Sequence, residues 1–278
     1  MRKEKRYMKL KDWYSKNKKC FSLSELNFIF KNFGIDSLVY LDKSSNQILD
    51  KSKIKKLNKI KEDKSRGLPL ALSLNKEDFF GFTFKVSRDT LIPRPETELL
   101  AEAACKLINQ NNLGKVLDLC SGCGNIGISL DKITEVDSRI YLSDLSLKSL
   151  ITAKENTINL GSKVKIIASD LFSGFKFDNF DLIITNPPYV KSENIKGSLV
   201  YEPRAALDGG KDGFKFLRKI VEDGHRYLKQ KGYLIIEFGY NQKKPLQKLI
   251  QLNNHYKIIE WIKDYGKNWR GVILQKRR

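Results

Sequence analysis

Histidine is nearly absent from this chain, and cysteine, with four residues, is scarce. Four cysteines in a chain of this length do not make a disulfide framework. Cys120 and Cys123 form a lone C-x-x-C with no second pair, and the only histidines, His225 and His255, lie far away in sequence. Two small side chains in a glycine loop explain the pair better than a redox couple or half a zinc site, so no metal is expected. No window approaches the roughly 18 uncharged apolar residues of a membrane span. The opening stretch, MRKEKRYMKLKDWYSKNKKC, is charged rather than apolar. No secretory leader is expected, and a cytoplasmic location follows as the default. A phosphate-cradling G-x-x-x-x-G-K-[ST] is missing, as is any internal repeat.

What is present is an ordinary globular composition, 41% apolar and 10% aromatic over 278 residues, enough for one large domain and a smaller one. The net charge of +20 is the unusual number, and about half of it falls in residues 1–80, with 20 basic residues against 10 acidic. Such an excess fits contact with RNA or with an acidic partner protein as well as it fits a lysine-rich solvated surface.

Residues 1–76 read as a helical domain. Ser22 and Glu25 have capping-box spacing ahead of Leu26, Ile29, Phe30 and Phe33, and Gly34 can close that helix. Ile54, Leu57 and Ile60 suggest a further amphipathic helix. FFGFTFKV alternates like a hairpin, so residues 77–88 are expected to connect two domains. From residue 89 to 278 apolar strand runs (115–120, 139–144, 163–170, 180–185, 232–239) alternate with helical stretches, among them 214–229 and 241–253. That pattern implies a mostly parallel α/β sheet covered on both faces, and the last two strands, around DYGKNW, look like an antiparallel hairpin on its edge.

Ligands of open α/β sheets bind beyond the carboxyl ends of the strands. Three features fall there: the loop DLCSGCG (118–124), Asp144 at the end of the next strand, and Asp170 followed by Leu171 and Phe172. Gly122 and Gly124 permit close backbone approach, and Asp144 stands where a carboxylate accepts from ribose hydroxyls. At the end of the fourth strand comes Asn186-Pro187-Pro188-Tyr189. Asn186 offers a side-chain carbonyl, Pro187 a rigidly aimed main-chain carbonyl, and Tyr189 a flat ring. Together they form a pincer for a planar NH₂ group whose nitrogen is to be alkylated.

The D-L-x-x-G-x-G form, the downstream acids and the N-P-P-Y corner resemble the class I S-adenosylmethionine-dependent methyltransferases, whose sheet is seven-stranded and Rossmann-like. The corner by itself suits adenine N6 in RNA or DNA as well as a glutamine amide. Further stretches decide between them. IPRPETE (92–98), GLPL, EPRAALDGGKDG (202–213), IEFG (236–239) and DYG with Arg270 resemble the peptide chain release factor glutamine methyltransferases over nearly the whole chain. That resemblance implies N5-methylation of the glutamine in the Gly-Gly-Gln motif of release factors, with S-adenosyl-L-homocysteine as co-product. It maps the cofactor loop onto Cys120, Ser121, Gly122, Cys123 and Gly124, the ribose acid onto Asp144 and the adenine-side residue onto Leu171. The substrate motif maps onto Asn186, Pro187, Pro188 and Tyr189, with Asn186, Pro187 and Tyr189 acting on the amide and Asn186 also beside the cofactor. A release factor is the expected partner and residues 1–76 its docking domain. Nucleic acid is not required, no membrane is involved, and a monomer is expected. The alternatives are glutamine methylation of a large-subunit ribosomal protein and adenine-N6 methylation.

Overall fold

The computed structural model describes residues 7–35, 47–177 and 179–277. The chain divides into two compact units that meet at Asn75 and Lys76.

The first unit holds β1 (Tyr7–Lys9), α1 (Leu10–Asn17), α2 (Leu23–Asn32), β2 (Ile48–Asp50), α3 (Lys51–Ser65) and α4 (Leu70–Leu74). The capping box at Ser22 forms as the sequence predicts: Glu25 N–H donates to Ser22 Oγ, and Ser22 N–H donates to Glu25 Oε2. Asp50 caps α3 by accepting from Lys53 N–H. Gly34, at φ +66°, lets the chain leave α2. Leu10, Trp13, Leu26, Ile29, Phe30, Leu49, Leu57 and Ile60 make the core of this unit. Residues 1–76 read as helical in sequence, and the structure adds to the helices a short antiparallel pairing of β1 with β2 over three residues each. The expected helical domain is described at 7–35 and from 47 onward only.

The second unit opens with the hairpin β3 (Lys76–Phe79) and β4 (Phe82–Lys85), which brings Phe79 and Phe84 into that unit's core. There follow α5 (Pro95–Asn111), β5 (Lys115–Leu119), α6 (Asn125–Ile133), β6 (Arg139–Asp144), α7 (Leu147–Asn159), β7 (Lys165–Ala168) and β8 (Phe180–Thr185). The remainder is α8 (Arg204–Leu207), α9 (Lys215–Asp223), β9 (Leu228–Glu237), α10 (Lys243–Asn253), β10 (Tyr256–Lys263) and β11 (Trp269–Lys276). The sheet has seven strands in the order β10-β11-β9-β8-β5-β6-β7. Strands β5 to β9 run parallel, while β11 is antiparallel to β9 and β10 to β11, which is the edge hairpin the sequence predicts. The helix expected over 214–229 ends at Asp223, and β9 begins at Leu228, four residues earlier than the apolar run announces.

Strand alternation sorts the core into two layers. Val116, Leu142, Leu182, Ile184 and Ile235 face Leu100, Ala104 and Ile108 of α5 and Ile128 of α6. Leu117, Leu119, Ile183, Leu234 and Ile236 face Leu217 and Ile220 of α9 and Leu246 and Ile250 of α10. Each fully buried aliphatic side chain contributes roughly 1.5–3 kcal/mol. The chain runs outward from β5 through β6 to β7, then returns to place β8 on the other side of β5. That reversal leaves a crevice beyond Leu119 and Thr185, where the C-S-G-C-G loop and the N-P-P-Y corner stand side by side.

Candidate functional site

The loop after β5 turns sharply because Cys120, Gly122 and Gly124 all have left-handed backbone, at φ +62°, +55° and +82°. Two interactions pin it: Ser121 N–H donates to the Ser143 carbonyl at 2.9 Å, and Gly124 N–H donates to the Ser121 carbonyl at 2.8 Å. Asp144, ending β6, grips the same loop. Its Oδ2 accepts from Gly122 N–H at 2.9 Å and its Oδ1 from Ser146 N–H at 2.8 Å. Burial pushes the Asp144 carboxyl above its ordinary value, against the pull of these backbone donors. Each oxygen retains a lone pair for a hydroxyl donor. Beneath the loop Asp118 is fully buried and accepts from Gly127 N–H at 2.8 Å. Burial raises it to about 7.

A largely apolar cavity of about 300 Å³ lies over this platform, walled by Cys120, Gly122, Asp144, Leu145, Leu171 and Asn186. Asp170 also lines it, and Ser169 Oγ fixes the turn there by donating to the Leu171 carbonyl at 2.9 Å. Ser121 Oγ and Ser143 Oγ are buried with no partner among the described residues. Apolar walls, a two-oxygen carboxylate and, of the two unpartnered hydroxyls, the Ser143 one among the lining suit a nucleoside-bearing ligand. Of the loop residues assigned to the cofactor by sequence, Cys120 and Gly122 face the cavity. Ser121, Cys123 and Gly124 stand behind it; a Cβ on Gly124 would come within 2.9 Å of Ile128 and Leu142 side-chain carbons.

The two cysteines are poor thiolates. Burial, and next the Asp144 charge, push Cys120 far up, while burial pushes Cys123 to about 12. Alkylation near pH 8 is therefore expected to label exposed Cys20 at least ~100-fold faster than Cys120 and Cys123, as read by peptide mapping. Comparable labelling of all three would show a reactive pair in the loop.

Beyond β8 the corner Asn186–Tyr189 is held from several sides. Val190 N–H donates to the Leu207 carbonyl, and Gly209 N–H to the Val190 carbonyl. Gln242 Nε2 donates to the carbonyls of Tyr189 at 3.1 Å and Gly213 at 3.2 Å. Gly213 has φ +79°, and a Cβ there would stand 2.6 Å from the Tyr189 carbonyl oxygen, so the segment from EPRAALDGGKDG can only close over the corner with glycine. Glu202 of that segment, nearly inaccessible, pairs with Arg94 and accepts from Ile92 N–H at 2.8 Å. The Pro-Arg-Pro stretch is thereby tied to the segment after the corner.

Asn186 is half-buried and lines two spaces, the large cavity and a second of about 120 Å³ shared with Leu91, Arg94, Pro187, Tyr189 and Leu199. Its Nδ2 donates to Thr97 Oγ1 at 3.2 Å. Thr97 Oγ1 donates to Glu237 Oε2 at 2.6 Å, and the Tyr189 hydroxyl donates to Glu237 Oε1 at 2.9 Å. Arg270 stands beside this group, 3.5 Å from Glu96 and 2.8 Å from Asp264. Burial raises Glu237 to about 7. Asn186 thus stands at the boundary of a nucleoside-sized cavity and a narrow one, with its side-chain nitrogen tied to Thr97.

Sequence reading brought Asn186, Pro187, Pro188 and Tyr189 together with the Asp144 loop. It did not identify Thr97, Glu237 or Gln242 as partners of the corner. The first two lie inside PETE and IEFG, stretches noticed for their resemblance but without a chemical role. Nothing in the sequence marks Gln242.

Residues 96–267 match the family model of the methyltransferase small domain. The release factor glutamine methyltransferase of Thermodesulfovibrio yellowstonii is 38% identical over 216 residues, covering 75% of this chain and 76% of that protein. The protein of the same name from Fusobacterium nucleatum is 36% identical over 82% of this chain, which spans 65% of that relative's length. Among solved structures, a methyltransferase from Pyrococcus furiosus superposes with a TM-score of 0.53 at 16% identity, over 82% of this chain and 99% of that one. A ribosomal protein L11 methylase from Lactobacillus delbrueckii subsp. bulgaricus gives 0.51 at 18% identity, over 68% and 82%. At such identities these two structures speak for the fold alone.

Proposed function

The chain belongs to the release factor glutamine methyltransferase family, and from that premise we propose that it methylates the side-chain amide of the glutamine in the Gly-Gly-Gln motif of peptide chain release factors. S-adenosylmethionine, when bound, supplies an electrophilic methyl group on a sulfonium. The cavity above Gly122, with Asp144 for the ribose hydroxyls and Leu171 as apolar cover for the adenine, is the place that suits it.

The observation that carries the reading is the Asn186 amide, tethered by its nitrogen to Thr97 and standing between the two cavities. A glutamine side chain entering the narrower space brings two N–H donors. Asn186 Oδ1 and the Pro187 carbonyl accept them, which fixes the nitrogen and compensates the positive charge it gains during transfer. Tyr189 packs its ring against the planar amide. No general base is required before attack, because the alkylated nitrogen becomes acidic and releases its proton to water afterwards. Glu237 is not that base: both its oxygens are already engaged by Thr97 and Tyr189. The basic unit before Lys76 supports docking of the release factor outside the catalytic unit.

The decisive assay offers the purified protein tritiated S-adenosylmethionine with a release factor, its Gly-Gly-Gln glutamine-to-alanine variant, ribosomal proteins and nucleic acid. Label is expected in the release factor and not in its variant. Label in nucleic acid or in ribosomal protein without label in the release factor would overturn the reading.

A further inference from the structure

Three polar groups at the corner have no part in the reaction as derived above: the Thr97 hydroxyl, the Glu237 carboxylate and the Tyr189 hydroxyl. Thr97 and Glu237 are each 1% exposed, so water does not satisfy them. Their hydrogen bonds run in one direction, from the Tyr189 hydroxyl to Glu237 Oε1, from Thr97 Oγ1 to Glu237 Oε2, and from Asn186 Nδ2 to Thr97 Oγ1.

A threonine hydroxyl carries one proton and two lone pairs. An ionised carboxylate only accepts, so at 2.6 Å from Glu237 the Thr97 proton is committed to it. Thr97 then shows Asn186 nothing but a lone pair. The asparagine amide has a donor at one end and an acceptor at the other, and the two ends have nearly the same shape. Turned over, it would set Oδ1 against the Thr97 lone pair, two acceptors facing each other in a buried site, and would leave that hydroxyl oxygen without a donor. The outward end would then be Nδ2, which repels the N–H groups of a glutamine amide and offers nothing to a nitrogen gaining positive charge.

We propose that Glu237 is a positioning residue which, through the Thr97 hydroxyl, keeps the oxygen rather than the nitrogen of the Asn186 side chain turned toward the substrate amide. Glu237 also holds Tyr189 by its hydroxyl, so one buried carboxylate aligns both the acceptor and the ring of the pincer. This assignment rests on the functional reading above in its account of what the oxygen receives. The relay itself is a property of the protein alone.

Two measurements on the full chain test it. The first is steady-state methylation of release factor by Thr97→Ser, Thr97→Val, Glu237→Gln and the Thr97→Val/Glu237→Gln double variant, with cofactor affinity by calorimetry. Thr97→Ser keeps the hydroxyl and is expected to hold kcat within about 3-fold, while Thr97→Val and Glu237→Gln lower kcat roughly 100-fold with cofactor affinity little changed. The double variant is expected to lose no more than the worse single one, because both cut the same relay. The second measurement is the Asn186 side-chain NH₂ signal in ¹⁵N spectra, assigned by its loss in Asn186→Ala. One of its protons is expected to exchange slowly in the wild type and in Thr97→Ser, and both rapidly in Thr97→Val and Glu237→Gln.

Wild-type kcat in Thr97→Val, additive losses in the double variant, or NH₂ exchange unaltered by Glu237→Gln would each overturn the relay. A wild type that shows the protected NH₂ but fails to label release factor would support the relay and overturn the functional reading instead.

Discussion

Asn186→Ala is expected to reduce methylation of release factor by roughly 100- to 1,000-fold, the usual cost of removing one preorganised charge-compensating group. In the proposed pincer the substitution deletes one of the two acceptors, at a residue that lines both cavities, and would leave the Pro187 carbonyl to hold the amide by one N–H alone. A nitrogen held at one point can rotate out of line with the methyl group, and alignment is most of what this site contributes. The corner itself should survive, because its backbone is fixed by Gln242, Leu207 and Gly209 rather than by the Asn186 side chain. Cofactor affinity, measured calorimetrically with S-adenosyl-L-homocysteine, is expected to stay within about threefold, since the Asp144 carboxylate and the Gly122 loop are untouched. Asn186 also lines the larger cavity, so the two measurements must be made together. An equal loss in affinity and in turnover would mean that Asn186 serves the cofactor, not the glutamine.

The parts of this architecture that could be read from sequence are those encoded by neighbours in the chain. Val116 to Leu119 and Phe180 to Thr185 are apolar runs because both faces of the sheet are covered, and their register follows from that burial. Asp144 was legible because a parallel strand must end about where β6 does, and the corner because two prolines stop a strand outright. The capping box was legible because its two partners are only three positions apart. The pairing of β1 with β2 was not, since three-residue strands carry no periodic signal. Nor was the shell behind the corner. Thr97 meets Glu237 across 140 positions, Asn186 meets Thr97 across 89, and Gln242 meets Tyr189 across 53. Each pairing follows from strand order at the switch point, where α5 and the end of β9 are brought to the same side of β8. Cys120 is a different case. Its left-handed backbone favours glycine, yet the loop adopts it because Asp144 and the Ser143 carbonyl hold the residues that follow.

Turnover and the contribution of Glu237 to stability are expected to move in opposite directions as pH rises from about 5 to 8. Glu237 is raised from 4.5 to about 7, first by burial; the hydroxyls of Thr97 and Tyr189 and the charge of Arg270 oppose that rise, and Glu96 adds to it. The groups around it are Glu96 and Thr97 on α5, Arg94 just before that helix, Tyr189 at the corner and Arg270 on β11. Below about 7 Glu237 is neutral and holds a proton of its own, which it can donate to Thr97. That frees the Thr97 proton to turn toward Asn186, and the amide loses its reason to keep its oxygen outward. kcat is therefore expected to fall about tenfold per unit as pH drops below this value, and to level off above it.

Stability carries the other sign. A carboxyl whose folded value is raised contributes stability that is complete below its unfolded value and is lost as pH rises through the folded one. For Glu237 that window runs from about 4.5 to about 7 and corresponds to roughly 3 kcal/mol. Asp118, raised by burial to about 7, shifts the same way. Asp208, Asp212 and Asp264 are lowered by hydrogen bonds and act only below their ordinary 3.8, outside this window. Glu237→Gln cannot ionise, so its melting temperature relative to wild type should climb between pH 5 and pH 8, while its residual turnover no longer follows the wild-type pH limb. The titration of Asp118 persists in that variant and cancels in the difference. A wild-type rate that is flat from pH 5.5 to 8 would show that acid does not disturb the orientation of Asn186, and a stability difference that does not change with pH would show that the folded value of Glu237 is not raised into this window.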